Sequence, residues 1–249
     1  MANAIANAPL FMKHYSYLDK GKKKTFHIFY PGTANSTPEC KQNDVIVITG
    51  RKGAGKSSIA KFLAWVYHRR FPKNRVIVFS GIPGLYDELD FATSVDLKAV
   101  EEEENEKYKG DYSGVPDPSL FDNSLVIFDD VETYPNPKVQ EILWQTMNTV
   151  VQNGRNYNIC AILVLHMLNR GLASSIILRE LDSLIIFPHS FDNNTYNTLI
   201  NYFGFDRKAA MSIYNLPERF VFIHMTHPQY LYLGTSMKKK ELNLRKFIV

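Results

Sequence analysis

Val45-Ile46-Val47-Ile48-Thr49-Gly50-Arg51-Lys52-Gly53-Ala54-Gly55-Lys56-Ser57-Ser58 is the stretch that decides the fold. Its first four residues are β-branched, the make-up of a short strand buried on both faces of a parallel sheet. From Gly50 to Ser57 it satisfies G-x-x-x-x-G-K-[ST] in full. Glycines at Gly50, Gly53 and Gly55 permit positive φ and let the backbone N–H groups of Arg51, Lys52 and Ala54 approach a phosphate closely. The residues that follow, Lys56 to about Arg70, carry apolar side chains at Ile59, Phe62, Leu63 and Val66, a helical spacing that Pro72 brings to an end. A helix opening at Lys56 turns its positive dipole end toward the same anion. Strand, glycine loop and helix in this order predict a P-loop. Lys56 is expected to neutralise the β- and γ-phosphates and the Ser57 hydroxyl to ligate Mg²⁺. The expected nucleotide contacts therefore run from Gly50 to Ser57 and include Ser58. The ligand expected is ATP or a close relative, because no residue that would read the base can be named.

Such a site needs an acid at the end of a neighbouring strand. Leu125-Val126-Ile127-Phe128-Asp129-Asp130 supplies one. Asp129 is expected to hold the magnesium, directly or through water. Asp130 is a candidate to polarise the attacking water, with Glu132 close by and of longer reach, so the choice of base stays open. The strand Ile159–Leu165 ends in His166, a polar residue placed to sense the γ-phosphate, or else a histidine satisfied at a sheet edge. Paired acids, and no arginine-rich lid after the core, favour hydrolysis over phosphoryl transfer to a metabolite.

Outward from these motifs, further buried strands are expected at Arg75–Ser80 and Leu184–Phe187. A long helix is expected after Asn136 as N-cap and Pro137 at the first turn. Its apolar stripe is Val139, Ile142, Leu143, Met147, Val150 and Val151, and Gly154 is the expected stop. Helices are expected over Asn194–Phe203 and Asp206–Tyr214, then a hairpin of Phe220–Met225 with Tyr230–Leu233. Strands alternating with helices imply a mainly parallel sheet covered on both faces. The stretch Gly81–Asn123 is hard to read beyond a glutamate run, Glu101–Glu104, on an exposed helical face. Three segments result: an N-terminal appendage over 1–43 with a strand at Thr25–Tyr30, the P-loop domain over 44–235, and a basic tail over 236–249.

Composition fits this picture. The chain has 249 residues, 45% hydrophobic and 22% charged, enough for a sizeable core without disulfides. The two cysteines, Cys40 and Cys160, lie in no metal-ligand spacing, and Cys160 sits in an apolar run as a small hydrophobe. His224 and His227 lack a third ligand nearby and are not read as a metal site. No signal sequence is evident, and the longest apolar run is far short of the ~20 residues that span a bilayer. A soluble, intracellular protein is expected. Net charge is +4, mild by itself. Basic residues nevertheless cluster at Lys20, Lys22–Lys24, Lys238–Lys240, Arg245 and Lys246, as solvated surface or as phosphate contacts.

Taken together, Gly50–Ser57, Phe128-Asp129-Asp130-Val131 and Asn153-Gly154-Arg155-Asn156-Tyr157-Asn158-Ile159 resemble the FtsK–HerA superfamily. The likeness is to the poxvirus-type DNA-packaging ATPases of large DNA viruses and virophages, over roughly Asp44 to Phe187. The resemblance implies a RecA-like, ASCE-type α/β fold and a motor that hydrolyses ATP with Mg²⁺ to pull double-stranded DNA into capsids. It also implies a homo-oligomeric ring, capsid or portal partners, and residence in the infected host cytoplasm or the virion. In role, it implies magnesium at Asp129, a water-activating acid at Asp130 and an Arg155 that acts on the neighbouring subunit's nucleotide. The usual second acid of the superfamily is Glu and the usual sensor Gln, Asn, Ser or Thr, where this chain has Asp130 and His166. A small-molecule P-loop kinase and a non-hydrolysing assembly scaffold are the alternative readings.

Overall fold

The structure, a computed structural model, describes residues 15–19, 22–26, 43–107, 116–190, 192–217, 219–224 and 230–234. Two strands, β1 (Tyr15–Asp19) and β2 (Lys22–Phe26), pair antiparallel on their own. The N-terminal strand expected at Thr25–Tyr30 overlaps β2 at Thr25 and Phe26, and 27–30 lie outside the described residues. So do Cys40, His227, most of the basic clusters and the whole of the expected tail, 236–249.

The remaining strands form one eight-stranded sheet. They are β3 (Val45–Thr49), β4 (Arg75–Ser80), β5 (Ala92–Val95), β6 (Ser124–Asp129), β7 (Cys160–Leu165), β8 (Ser183–Ile186), β9 (Phe220–His224) and β10 (Tyr230–Gly234). Their order across the sheet is β10-β9-β8-β3-β7-β6-β4-β5. From β8 to β5 all neighbours are parallel, while β9 and β10 add an antiparallel hairpin at one edge, as expected. Strand β7 lies between the strand that leads into the glycine loop and the strand that ends in Asp129. That inserted strand makes the sheet RecA-like, of the ASCE type.

Alternation along the strands splits the core in two. Ile46, Ile48, Val76, Val78, Leu125, Ile127, Ile162 and Val164 face one side, where α1 (Lys56–Arg70) packs through Ala60, Leu63, Ala64 and Tyr67. Val45, Val47, Val126, Phe128, Ala161, Leu163 and Leu165 face the other. There they meet α3 (Pro137–Tyr157), α4 (Leu172–Glu180), α5 (Asn193–Asn201) and α6 (Arg207–Tyr214). Because both faces are covered, β3, β6 and β7 contain no exposed position, and their sequences read as continuous apolar runs.

Local signals explain most element ends. Asn136 caps α3 by accepting from the Lys138 N–H, with Pro137 in the first turn. Asp192 and Asp206 cap α5 and α6 in the same manner. The end of α3 differs from the expectation. It runs through Gly154 to Tyr157 and stops at Asn158, which takes the left-handed conformation at φ 53°. Gly154 sits at a close approach instead, since a Cβ there would stand 3.0 Å from the Ile159 carbonyl oxygen. Gly81–Asn123 contains the edge strand β5, the helix α2 (Leu97–Lys107) and a 3₁₀ turn at Pro118–Phe121. The glutamate run is helical, but Glu101 is half-buried and accepts from Tyr134 Oη and Asn136 Nδ2. Helix α4 was not anticipated: it is only nine residues long and opens at Gly171, with no side-chain cap to announce it. Cys160 is fully buried, and burial pushes its thiol pKa well up.

Candidate nucleotide-binding site

Parallel registry brings the ends of three strands level. Thr49 lies opposite Leu165, and Asp129 opposite Val164. The next residues, Gly50, His166 and Asp130, therefore emerge together at the carboxyl edge of the sheet. This is where open α/β sheets bind ligands.

The glycine loop closes over that edge. Gly50 is buried against Phe187, whose Cδ2 would be 2.9 Å from a Cβ at this position. Gly53 and Gly55 adopt φ of 79° and 105°, conformations an L side chain rarely takes. Gly55 caps α1 without a side chain, which leaves the N–H groups of the first turn directed into the loop. Arg51, Lys52, Gly53 and Ser58 are exposed, and Ala54, Gly55 and Ser57 half-buried. Lys56 is 6% exposed and ties the loop to itself: Nζ donates to the Gly50 carbonyl at 2.9 Å and to that of Arg51 at 3.4 Å. Burial pulls its pKa down, while Asp130, Asp129 and Glu132 hold it up.

Asp129 is fully buried. Its Oδ2 accepts from Tyr86 Oη at 2.8 Å, and its Oδ1 has no hydrogen-bond partner among the described residues. Burial pushes the carboxyl pKa up, whereas the Ser57 hydroxyl and Tyr86 pull it down and Asp130 pushes it up again. Tyr86 is itself kept protonated by burial and by Asp129, so it remains a donor. An orphaned buried carboxylate oxygen beside a serine hydroxyl fits a small hard cation, which takes few protein ligands and shares the rest with phosphate and water. Among the described residues no cluster of three His, Cys, Asp or Glu forms an all-protein cage.

Asp130 follows in the left-handed region at φ 54°, a conformation that costs a non-glycine residue and is concentrated at functional sites. Thr133 holds it there, its N–H and hydroxyl both donating to the Asp130 carbonyl, at 3.1 and 2.8 Å. Gly81 fits against that carbonyl because it has no Cβ. The side chain then faces His166, with Nε2 2.8 Å from Asp130 Oδ1. On its other side His166 presents Nδ1 to Lys56 Nζ at 3.4 Å. Lysine, imidazole and carboxylate form one row across the site.

Glu132 is differently engaged. Its Oε1 accepts from the backbone N–H of His166 and its Oε2 lies 3.4 Å from Arg170 Nη1. The Arg170 guanidinium in turn sits over the Trp144 ring, 5.5 Å from its centroid. Arg155 stands apart from all of these. It is exposed, in the last turn of α3, and helps lower the pKa of Asp182, which burial raises. Asp182 precedes β8 and accepts from the Val45 N–H at 2.8 Å, at the amino edge of the sheet, opposite the glycine loop.

The structure thus brings together Gly50–Ser57, Asp129, Asp130, Glu132 and His166, and leaves Arg155 at the far edge. Tyr86, Arg170 and Phe187 were missed. Tyr86 lies in the stretch without readable periodicity, and a lone tyrosine there carries no motif. Arg170 follows a strand whose end was read only as far as His166.

No family model matches the chain. In sequence it is 26% identical over 222 residues to an uncharacterized protein, V3, of Sputnik virophage, across 88% of this chain and 86% of that protein. Among solved structures it is similar to the genome packaging NTPase B204 of Sulfolobus turreted icosahedral virus 2 in complex with AMPPCP. That alignment has a TM-score of 0.49 at 15% identity and covers 78% of this chain and 98% of B204. It is also similar to the pCW3 conjugation coupling protein TcpA, in its monomer form with ATPγS. Here the TM-score is 0.53 at 12% identity, over 87% of this chain and 64% of TcpA. Strand order, the loop after β3 and the likeness to TcpA agree: this chain has the RecA-like, ASCE-type α/β fold of a P-loop NTPase.

Proposed function

We propose that the chain is an ATP-driven motor that moves double-stranded DNA, and that its task is to package a viral genome into capsids. The observation that carries the reading is the row Lys56–His166–Asp130 beside Asp129, set at the mouth of a glycine loop. A virophage relative spanning most of the chain supports the viral setting.

In this reading ATP lies with its phosphates along the Gly50–Ser58 backbone, and Lys56 leaves its loop carbonyls for the β- and γ-phosphates. Ser57 and Asp129 would hold Mg²⁺, which would offset charge on the phosphate oxygens. Asp130 takes a proton from water as the water oxygen bonds to the γ-phosphorus and the bond to the β–γ bridging oxygen breaks, with the electron pair leaving on ADP. His166 touches both Lys56 and Asp130, so it registers whether the γ-phosphate is present. Glu132 fixes the backbone of His166 and is a positioning residue. Arg155, at the opposite edge of the sheet, serves a neighbour's site in a homo-oligomeric ring. Gripping the DNA backbone suits a motor because it is indifferent to sequence. Capsid or portal proteins are the further partners, and infected cytoplasm or virion the location.

Translocation is tested by displacement of a third strand from a triplex placed on linear duplex. The expected result is ATP-dependent displacement by the wild type and none by Lys56→Ala. Displacement by neither protein, with ATP hydrolysis intact, would remove the motor from this reading.

A further inference from the structure

At the carboxyl edge of the sheet stands a cation, Arg219, that the proposed chemistry does not use. Arg219 immediately precedes β9, which pairs antiparallel with β8 so that Val221 lies opposite Ile186. The residue after Ile186 is Phe187, which packs on Gly50. Arg219 therefore sits at the same edge as the glycine loop, on the flank away from β7 and β6. Its guanidinium reaches the loop. Nη2 would be 2.7 Å, Cζ 3.5 Å and Nε 3.7 Å from a Cβ at Gly55.

That is an unfavourable place for an unpartnered cation. Gly55 is the N-cap of α1, where the helix dipole is positive. Lys56 adjoins it and Arg51 and Lys52 precede it in the same loop. No ion pair joins Arg219 to a carboxylate among the described residues. A group of cations facing a helix N-terminus favours a strong anion among them.

Orientation narrows the contact. In the proposed site the γ-phosphate end meets Lys56 at the start of α1 and, on the β7 and β6 flank, His166, Asp129 and Asp130. The rest of the molecule must then extend toward β8 and β9, where Arg219 stands. We infer that Arg219 binds the nucleotide within its own subunit, at the α-phosphate and ribose end. The inference rests on the proposed nucleotide site and adds to it a residue that sets affinity rather than rate.

The test measures equilibrium binding of ADP and ATPγS, with Mg²⁺, to the wild type, Arg219→Ala and Arg219→Lys, followed by steady-state hydrolysis of ATP. Arg219→Ala should lose about tenfold in affinity for both nucleotides alike, the scale of a charge-assisted contact. Arg219→Lys should recover part of the loss. KM should rise by a similar factor while kcat stays within about threefold. Melting without nucleotide should match the wild type, because Arg219 is exposed on a loop. Unchanged ADP affinity in Arg219→Ala, or a loss confined to kcat, overturns the inference while leaving the proposed site standing. A folded wild type that binds neither nucleotide overturns both.

Discussion

In the proposed mechanism, His166 and the two carboxylates near it divide the work of the site by what each already touches. Asp130 points its carboxylate at the imidazole from a strained backbone, 2.8 Å from Nε2. Glu132 spends both oxygens on the His166 N–H and Arg170. A base must have a lone pair to offer water, and Asp130 fits that demand better. Asp130→Asn should therefore retain ATP binding and lose about 10²–10⁴ in single-turnover hydrolysis, the usual contribution of a general base. Glu132→Gln keeps an acceptor for the His166 N–H and should lose no more than about tenfold, the lower end of what supporting contacts to a site are worth. If Glu132→Gln proves the more damaging, the roles are reversed. The grouping of Lys56, Ser57 and Asp129 at one edge was legible beforehand, because the motif sets Lys56 and Ser57 by spacing and Asp129 follows an apolar run. The partners that orient them, Tyr86 and Arg170, reach the site through tertiary contacts with no sequence period, and so left no signal.

Whole elements were easiest to read where both faces of a strand or one stripe of a helix are buried. Arg75–Ser80 and Lys56–Arg70 have the bounds their patterns imply. The end of α3 was misread because Gly154 resembles a stop signal, whereas its role is to let the Ile159 carbonyl approach. Helix α4 and strand β5 are short, at nine and four residues, too few for a period to emerge. At this scale the joint between β3 and β8 is open to test. Asp182 spans it by accepting from Val45 N–H, and burial raises its pKa above the usual carboxylate value of 3.8. The folded chain therefore holds the Asp182 proton more tightly than the unfolded chain does. This contribution is fully present below the ordinary carboxylate range and is lost as pH rises through the raised, folded-state value. Asp182→Asn keeps an acceptor for Val45 and cannot ionise. Denaturant melts from pH 4 to 7 should show less loss of stability with rising pH in the variant than in the wild type. Equal slopes would mean that Asp182 does not titrate differently on folding.

Over the whole molecule, the sheet separates two functions by its two edges. The proposed nucleotide site lies at the carboxyl edge. Arg155 lies at the amino edge, near Asp182, and cannot serve the site of its own subunit. In a ring, it would have to serve the next. Lys56→Ala and Arg155→Ala should each be inactive alone, yet regain hydrolysis when mixed, since a mixed ring contains sites with an intact loop facing an intact arginine. Failure of mixing to restore any activity, with mixed oligomers formed, would remove Arg155 from the mechanism. No helix among the described residues is long and apolar enough to cross a membrane.

The measurement that bears most directly on the central claim is ATP turnover by the purified chain with and without duplex DNA, with oligomeric state determined in the same buffer. The account predicts Mg²⁺-dependent hydrolysis by an oligomer, stimulated several-fold by duplex of any sequence and abolished by Lys56→Ala. Turnover indifferent both to DNA and to Lys56→Ala would contradict it.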